Sequence, residues 1–350
     1  MYKSFEIGDI KIGEGASPLV IPEMGINHGG SLTTAKLIVD SAARAGAKII
    51  KHQTHVIEDE MSHAAQHVIP GNSDFSIYDI MSRCALDEEQ EYELMNYVQS
   101  KGLIFLSTPF SRAAADRLES FGVCAYKIGS GELNNYPLIK HIASFGKPMI
   151  ISTGMNNIPA IKKAVNIVEE SGIPFALLHT TNLYPTEPRL VRLGAMQEMM
   201  RAFPGIPIGL SDHTITNSAC IAAITLGACV VERHFVDSKE RLGPDIVCSM
   251  DERECNELII AARDIPKMLG GEKEAAPEEQ VTSNFAFATV VTINPIKTGE
   301  TFTRENVWVK RPGTGEIPAE DFEKILGKVS KQDIDCDTQL SRNMIEDPLL

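Results

Sequence analysis

The chain has no CxxC pair, a single tryptophan and no surplus of basic residues. Its seven cysteines, at 84, 124, 220, 229, 248, 255 and 336, are scattered, several inside apolar runs such as SACIAA and ACVVERHF. An odd count with no pairing pattern indicates reduced, buried thiols and a cytoplasmic location. The formal net charge is −14 and the sequence pI about 5.2, which argues against nucleic acid as a partner. An anionic small substrate stays open, because a local site can be positive on an acidic protein. The first twenty residues, MYKSFEIGDIKIGEGASPLV, carry charges throughout and lack the apolar core of a signal peptide. No stretch approaches the roughly 20 apolar residues of a membrane span. What these absences leave is a globular protein of 350 residues, 43% hydrophobic and 23% charged. Length alone suggests two domains, although an α/β barrel uses about 250 residues as one.

Short apolar runs recur along the chain: PLVIPE (18–23), KIIKHQ (48–53), LIFLST (103–108), AYKI (125–128), PMIIST (148–153), FALLHT (175–180), IPIGLSDH (206–213) and CVVERH (229–234). Helix-length segments separate them. LTTAKLIVDSAARAGA (32–47) and IPAIKKAVNIVEESGI (158–173) place apolar residues at three- and four-residue spacing. Eight strands alternating with helices predict a (β/α)8 barrel of the TIM type. A doubly wound open sheet, the main rival, usually has fewer strands and a glycine-rich first turn, absent here. Some fifty residues separate the second and third runs, and two short insertions before a helix at 87–101 account for them. Loops of that length on a barrel's catalytic face commonly cover the site.

After Asp264 the character changes. The expected organisation is a barrel over 1–269, a charged linker over 270–285 and a small β-rich domain over 286–350 that carries Trp308.

Barrel enzymes hold their catalytic groups where strands end, and period-two alternation says which side chains share a face. Each run here ends polar: Glu23, Lys51 with Gln53, Thr108, Lys127, Ser152, His179, Ser211 with His213, and Glu232 with His234. A barrel interior is normally filled by branched apolar side chains, so a ring of polar groups is hard to justify by packing. Ser152 or Thr108 alone could equally cap the following helix. Buried lysine is rare unless paired. Two in one cup imply either a bound anion or a Schiff-base aldolase lysine. SGE (130–132), STG (152–154) and TTN (180–182) add hydroxyls and N–H groups near helix starts, which suits a phosphate. His213 and His234 fall at the ends of neighbouring strands, where two imidazoles leave a divalent ion open positions for water and substrate. His63, His67 and His141 read as solvated.

The ordered motifs EMGINHGG (23–30), GAKIIKHQTH (46–55), STPFS (107–111), YKIGSGE (126–132), STGMN (152–156), HTTNLYP (179–185), GLSDHT (209–214), ERHF (232–235) and GPDIVCSM (243–250) resemble the sialic acid synthases over essentially the whole chain. KRPGTG (310–315) resembles their C-terminal antifreeze-like (SAF) domain. The resemblance implies an enzyme, a transferase condensing phosphoenolpyruvate with an N-acetylated amino sugar and releasing phosphate by C–O cleavage. It implies a divalent ion, first Mn²⁺, with Mg²⁺ or Co²⁺ as alternatives, on His213 and His234. It also implies a domain-swapped homodimer in which the small domain of one chain caps the barrel of the other. By the same resemblance, Lys51, Thr108, Lys127, Ser130, Ser152 and Asn182 match positions that hold phosphoenolpyruvate. Gln53, Tyr184, Asp245 and Arg311 match sugar-binding positions, and Glu23, Glu132 and Glu232 are the candidate catalytic carboxylates.

The family commonly has Phe where this chain has His52, and His where it has Ile246, differences read as bearing on substrate. KHQTH with GPDIVCSM resembles the bacterial N-acetylneuraminate branch, which uses N-acetylmannosamine. Relatives that use 2,4-diacetamido-trideoxy sugars to make legionaminic-type acids share the barrel motifs. A lysine aldolase, a non-catalytic sugar-binding module and a metal-dependent hydrolase are the readings from other classes.

Overall fold

The computed structural model describes residues 3–71 and 74–346. Residues 1–2 and 347–350, at the ends of the expected domains, and 72–73, in the long insertion, lie outside the described residues. The chain divides into two compact units, Met1–Gly270 and Gly271–Leu350.

The first unit opens with a hairpin that the sequence reading had passed over. Strands β1 (Ser4–Ile7) and β2 (Ile10–Gly13) pair antiparallel, with Phe5 opposite Ile12 and Ile7 opposite Ile10. Alternation turns Phe5, Ile7, Ile10 and Ile12 inward and leaves Glu6 and Lys11 in solvent, so the charges in this stretch mark one face of a ribbon. Eight parallel strands follow: β3 (Leu19–Gly25), β4 (Ile49–Thr54), β5 (Ile104–Pro109), β6 (Tyr126–Ile128), β7 (Met149–Ser152), β8 (Phe175–Thr180), β9 (Ile208–Asp212) and β10 (Val230–His234). They close in chain order, with β10 pairing β3. Each lies within about two residues of its predicted run, because strands buried on both faces read as continuous apolar stretches.

The helices are set by caps and apolar stripes. In Leu32–Arg44 the Ser31 hydroxyl accepts from Thr34 N, and Ala35, Ile38, Val39 and Ala42 are buried at helical spacing. Burying a side chain such as Ile38 contributes about 2 kcal/mol. Glu88–Ser100 and Glu252–Met268 start from reciprocal capping boxes, Asp87 with Gln90 and Asp251 with Glu254. The insertion after β4 forms the short helix Ile57–Glu60, a 3-10 turn His63–His67 and the helix Ile77–Cys84. No described helix is long and apolar enough to cross a membrane.

In the second unit β11 (Thr289–Thr292) and β12 (Val307–Lys310) pair antiparallel, over a core that includes Val290, Ile296, Phe302, Ile317 and Ile325. Trp308 is half exposed, with its edge against Phe322. The expected linker is not structureless throughout. Its last part forms a helix, Gln280–Ala286, and Gly313 N donates to Asn284 O at 2.8 Å.

Candidate active site

The inward positions of the barrel form two kinds of layer. At the start of the strands they are apolar: Leu19 and Ile21 of β3, Ile49 of β4, Leu106 of β5, Ala125 just before β6, Ile150 of β7, Ala176 and Leu178 of β8 and Val230 of β10, all packed with the hairpin. In β9 this layer contains Gly209, where an added Cβ would lie 2.2 Å from Val230 O and 2.7 Å from Leu178 Cδ2. Two residues further along, every strand presents a polar group to one cavity: Glu23, Lys51 with Gln53, Thr108, Lys127, Ser152, Thr180, Ser211, and Glu232 with His234. This is the C-terminal face, where barrels carry their sites.

Two lysines and two carboxylates dominate the cavity floor, and all four are buried. Lys51 Nζ lies 2.5 Å from Glu23 Oε1, 3.5 Å from Glu232 Oε1 and 3.3 Å from Thr108 Oγ1. Lys127 Nζ donates to Ser152 Oγ at 2.6 Å and to Ile128 O at 3.1 Å, and stands 3.8 Å from Glu232 Oε2. Burial disfavours charge on every member. For Glu23 burial is the largest single influence and raises the pKa, but Lys51, His234 and Gln53 together outweigh it and hold the carboxyl far below its ordinary range. For Lys51, Glu23 and Glu232 likewise outweigh it and raise the ammonium pKa. For the other two burial prevails. Lys127 is pushed down to about 8 by burial, with Lys51 adding to the effect, and Glu232 is raised by burial against the pull of Lys127 and Lys51. Glu232 Oε2 has no hydrogen-bond partner, and neither does the buried Asn182 Oδ1. The loops after β6 and β7 meet where Gly154 N donates to Ser130 Oγ at 3.0 Å. A Cβ on Gly154 would fall 1.8 Å from Asn182 Oδ1, so only glycine lets Ser130 and Asn182 approach together.

The strand register brings the two histidines level. Glu232 pairs with Ser211 and Arg233 with Asp212, and one step further His213 and His234 meet with ring centroids 5.4 Å apart. His213 Nδ1 lies 2.8 Å from Thr181 O, an acceptor, which leaves Nε2 with the lone pair. Burial and then His234 push the His213 pKa down to about 3, so the ring is neutral. His234 Nδ1 is buried without a partner, 3.8 Å from Asp245 Oδ2. One imidazole oriented through its second nitrogen and one with an orphaned nitrogen suit a divalent cation. Among the described residues no group of three or more His, Cys, Asp or Glu side chains could hold a metal. The pair thus fits an ion that takes its remaining ligands from water or substrate. The residues just before the histidines face the other way. Arg233 Nε stands 3.4 Å from Asp212 Oδ2, and its Nη2 donates to Thr214 O at 2.7 Å and Cys248 O at 3.3 Å.

Most expected site residues share this cavity: Glu23, Lys51, Gln53, Thr108, Lys127, Ser130, Ser152, Asn182, Tyr184, His213, Glu232 and His234 all line it. Tyr184 packs on His213 with ring centroids 4.2 Å apart. Asp245 stands just behind His234, its carboxyl raised by burial despite the pull of His234. Glu132 is not in the ring. It belongs to the 3-10 turn Ser130–Asn134, accepts from Asn135 Nδ2 at 2.9 Å and lines a neighbouring cleft with Glu60 and Arg112. Arg311, exposed, belongs to the second unit. His179 is not in the ring either. Alternation sends Leu178 and Thr180 inward, and His179 turns outward, its Nε2 2.7 Å from Val191 O. His52 likewise faces away from the cavity, its Nδ1 3.2 Å from Glu91 Oε1, so this departure does not touch the cavity wall. His63 and His67 are exposed, and His141 pairs with Asp116 at 2.6 Å. The sequence counts Thr180 among the TTN hydroxyls that suit a phosphate but puts His179 in the ring in its place, although Thr180 lies two residues beyond inward Leu178; Phe110 is a cavity residue that it does not single out.

Comparison with known proteins shows the family. The NeuB family model matches residues 38–274, and the SAF domain model matches 287–346. An N,N'-diacetyllegionaminic acid synthase of Campylobacter jejuni is 36% identical over 320 residues, 89% of this chain and 95% of the relative. The N-acetylneuraminate-9-phosphate synthase of Mus musculus is 31% identical over 332 residues, 93% of this chain and 92% of the relative. Among solved structures, an N-acetylneuraminic acid synthetase of Leptospira borgpetersenii in complex with citrate superposes with a TM-score of 0.73 at 29% identity, covering 81% of this chain and 95% of that one. With a closed eight-stranded barrel, a small second unit and its strand-end polar ring in the expected register, this chain belongs to the NeuB family and is an enzyme of the sialic and nonulosonic acid synthase group.

Proposed function

We propose that the enzyme condenses phosphoenolpyruvate, water and an N-acetylated amino sugar to a nine-carbon 2-keto acid and phosphate. The observation that carries this reading is the buried lysine pair, Lys51 and Lys127, beside the unpartnered Asn182 Oδ1 and Glu232 Oε2 in one cavity with His213 and His234. Lys51, Lys127, Thr108, Ser130, Ser152 and Asn182 hold the phosphate and carboxylate of phosphoenolpyruvate. Gln53, Tyr184 and Asp245 hold the sugar, with Arg311 reaching it from the partner chain of a domain-swapped homodimer. Exposed apolar residues on loops at the C-terminal face, Met155, Leu183, Ile215, Leu242 and Val247, support a protein surface covering that face. His213 and His234 hold the divalent ion, Mn²⁺ being the first candidate. When bound, the ion supplies Lewis-acid polarisation of the sugar carbonyl.

The C3 methylene of phosphoenolpyruvate attacks that carbonyl carbon and leaves positive charge at C2, next to the ionised Glu23. Water adds at C2, one of its protons passing to the alkoxide that the attack left on the sugar; the tetrahedral intermediate then expels phosphate by C–O cleavage as the new C2 hydroxyl gives up the other proton to the leaving group. Glu232, raised, and Lys127, lowered, are 3.8 Å apart, so one proton can be exchanged between water and leaving phosphate through this pair. Glu132, off the ring, is left out of this path.

N-acetylmannosamine, giving N-acetylneuraminate, is the sugar suggested by the sequence motifs. The 36% identity to a diacetyllegionaminic acid synthase favours a 2,4-diacetamido-trideoxy sugar as the second reading. Phosphate release from phosphoenolpyruvate against a panel of N-acetylated amino sugars, with Mn²⁺ or EDTA, tests both. Release should require sugar and ion together, and the sugar with the highest kcat/KM identifies the branch. In oxygen-18 water the label should enter the keto acid. Label in the phosphate, or a borohydride-trapped lysine adduct with pyruvate, would contradict the mechanism.

A further inference from the structure

Beyond the cavity wall, a short chain of polar contacts runs from the long insertion into the site. Glu60, the last residue of helix Ile57–Glu60, places Oε2 2.8 Å from His55 Nδ1. His55 Nε2 lies 3.3 Å from Gln53 Oε1, and Gln53 Nε2 donates to Glu23 Oε1 at 2.7 Å. The His55 ring is stacked on Phe110, centroids 4.6 Å apart and planes 9° from parallel, and Phe110 itself lines the cavity. The helix is anchored from the first turn of the helix Arg112–Phe121, where Asp59 Oδ2 accepts from Ala113 N at 2.7 Å. His55 is 5% exposed, yet it lies past the end of β4 and makes none of the barrel's backbone pairings.

These contacts decide how the Gln53 amide points. Glu23 is a carboxylate engaged with Lys51, so it can only accept, and the amide nitrogen must face it. The amide oxygen then faces His55, a contact that needs a proton on Nε2. Glu60 holds the other ring nitrogen, so the ring is fixed in its plane between the carboxylate and the amide oxygen. Fixed at both ends, the Gln53 amide keeps one N–H and one lone pair free for a ligand in the cavity. That combination matches a neutral group that both donates and accepts, a hydroxyl or an acetamide, and not a phosphate.

We propose that His55 and Glu60 are positioning residues that set the Gln53 amide for the neutral polar groups of the sugar. The inference rests on the reading of Gln53 as a sugar contact. His55→Phe keeps an aromatic ring over Phe110 and removes both nitrogens. It should raise KM for the sugar about three- to tenfold, the range for losing one orienting hydrogen bond, with KM for phosphoenolpyruvate and Tm unchanged. Glu60→Gln should shift the same constant in the same direction by less. Gln53→Ala should raise it at least as much, and the His55→Phe/Gln53→Ala double variant should match Gln53→Ala alone. A lowered Tm with unaltered kinetics in His55→Phe, or additive effects in the double variant, would leave the pair a purely structural clamp and overturn the inference. An unchanged sugar KM in Gln53→Ala would overturn both the inference and the role of Gln53. A changed KM there, with none in His55→Phe, would overturn the inference alone.

Discussion

The two ends of the barrel are built from the same eight strands by opposite chemistry. At the N-terminal end Ile21, Leu106, Ile150 and Leu178 meet the inward face of the hairpin, and the interior is sealed by apolar contact. Two positions further on, at the other end, those strands carry Glu23, Thr108, Ser152 and Thr180, with Lys51, Lys127 and Glu232 beside them. Volume does not distinguish them in the expected way. A cleft of about 480 Å³ opens beside the hairpin, lined by Lys3, Glu14, Met200, Pro207 and Pro266, whereas the polar cavity measures about 120 Å³. The smaller one gathers buried titratable groups, whereas Lys3 and Glu14 of the larger one are exposed. One end is packed for stability, and the other keeps buried polar atoms without internal partners, an arrangement that costs stability and suits a ligand.

The sharpest way to break this contrast is to mutate each end and ask which property moves. His213→Ala and His234→Ala should each lower kcat on the order of a thousandfold or more while leaving Tm close to wild type, read by phosphate release and thermal denaturation. Retained metal-dependent turnover in either would place the ion elsewhere. Ile21→Ala at the sealed end should do the reverse, costing about 3 kcal/mol in a urea titration with KM values unmoved. Activity falling faster than stability there would show that the ends are not separable.

Acidity gives a graded test. Lys127, pushed down to about 8 by burial, is charged in the free enzyme below that value and neutral above it. Anionic phosphoenolpyruvate needs the charged form, so its KM should be flat below about pH 8 and rise by up to about tenfold per pH unit above it. Lys127→Arg should flatten that rise even if turnover drops. The smallest expected effect is at Arg311: Arg311→Ala should raise the sugar KM several-fold, with phosphoenolpyruvate KM little changed.

The sequence was most legible where periodicity acts alone. Strands buried on both faces stand out as apolar runs, and the residues two apart at their ends, Lys51 with Gln53 and Glu232 with His234, point into one cavity as alternation requires. It was least legible where the chain leaves that rule. His179 sits at a strand end but one residue out of phase, so it faces the helices. Glu132 follows β6 on a 3-10 turn, whose geometry carries it into the next cleft. His55 lies two residues beyond Gln53, in phase by counting. Because β4 has ended at Thr54, however, it turns back onto Gln53 instead of into the cavity. The hairpin escaped notice because its alternation is short and its outward charges resemble an irregular leader.

The central claim is that the polar end of the barrel is an anion site built on two buried lysines. Calorimetric titration of phosphoenolpyruvate into the wild-type protein, Lys51→Met and Lys127→Met tests it most directly. Saturable binding by the wild type, weakened about a hundredfold or more in each folded variant, is the predicted result. Binding that is unchanged in both variants would contradict it.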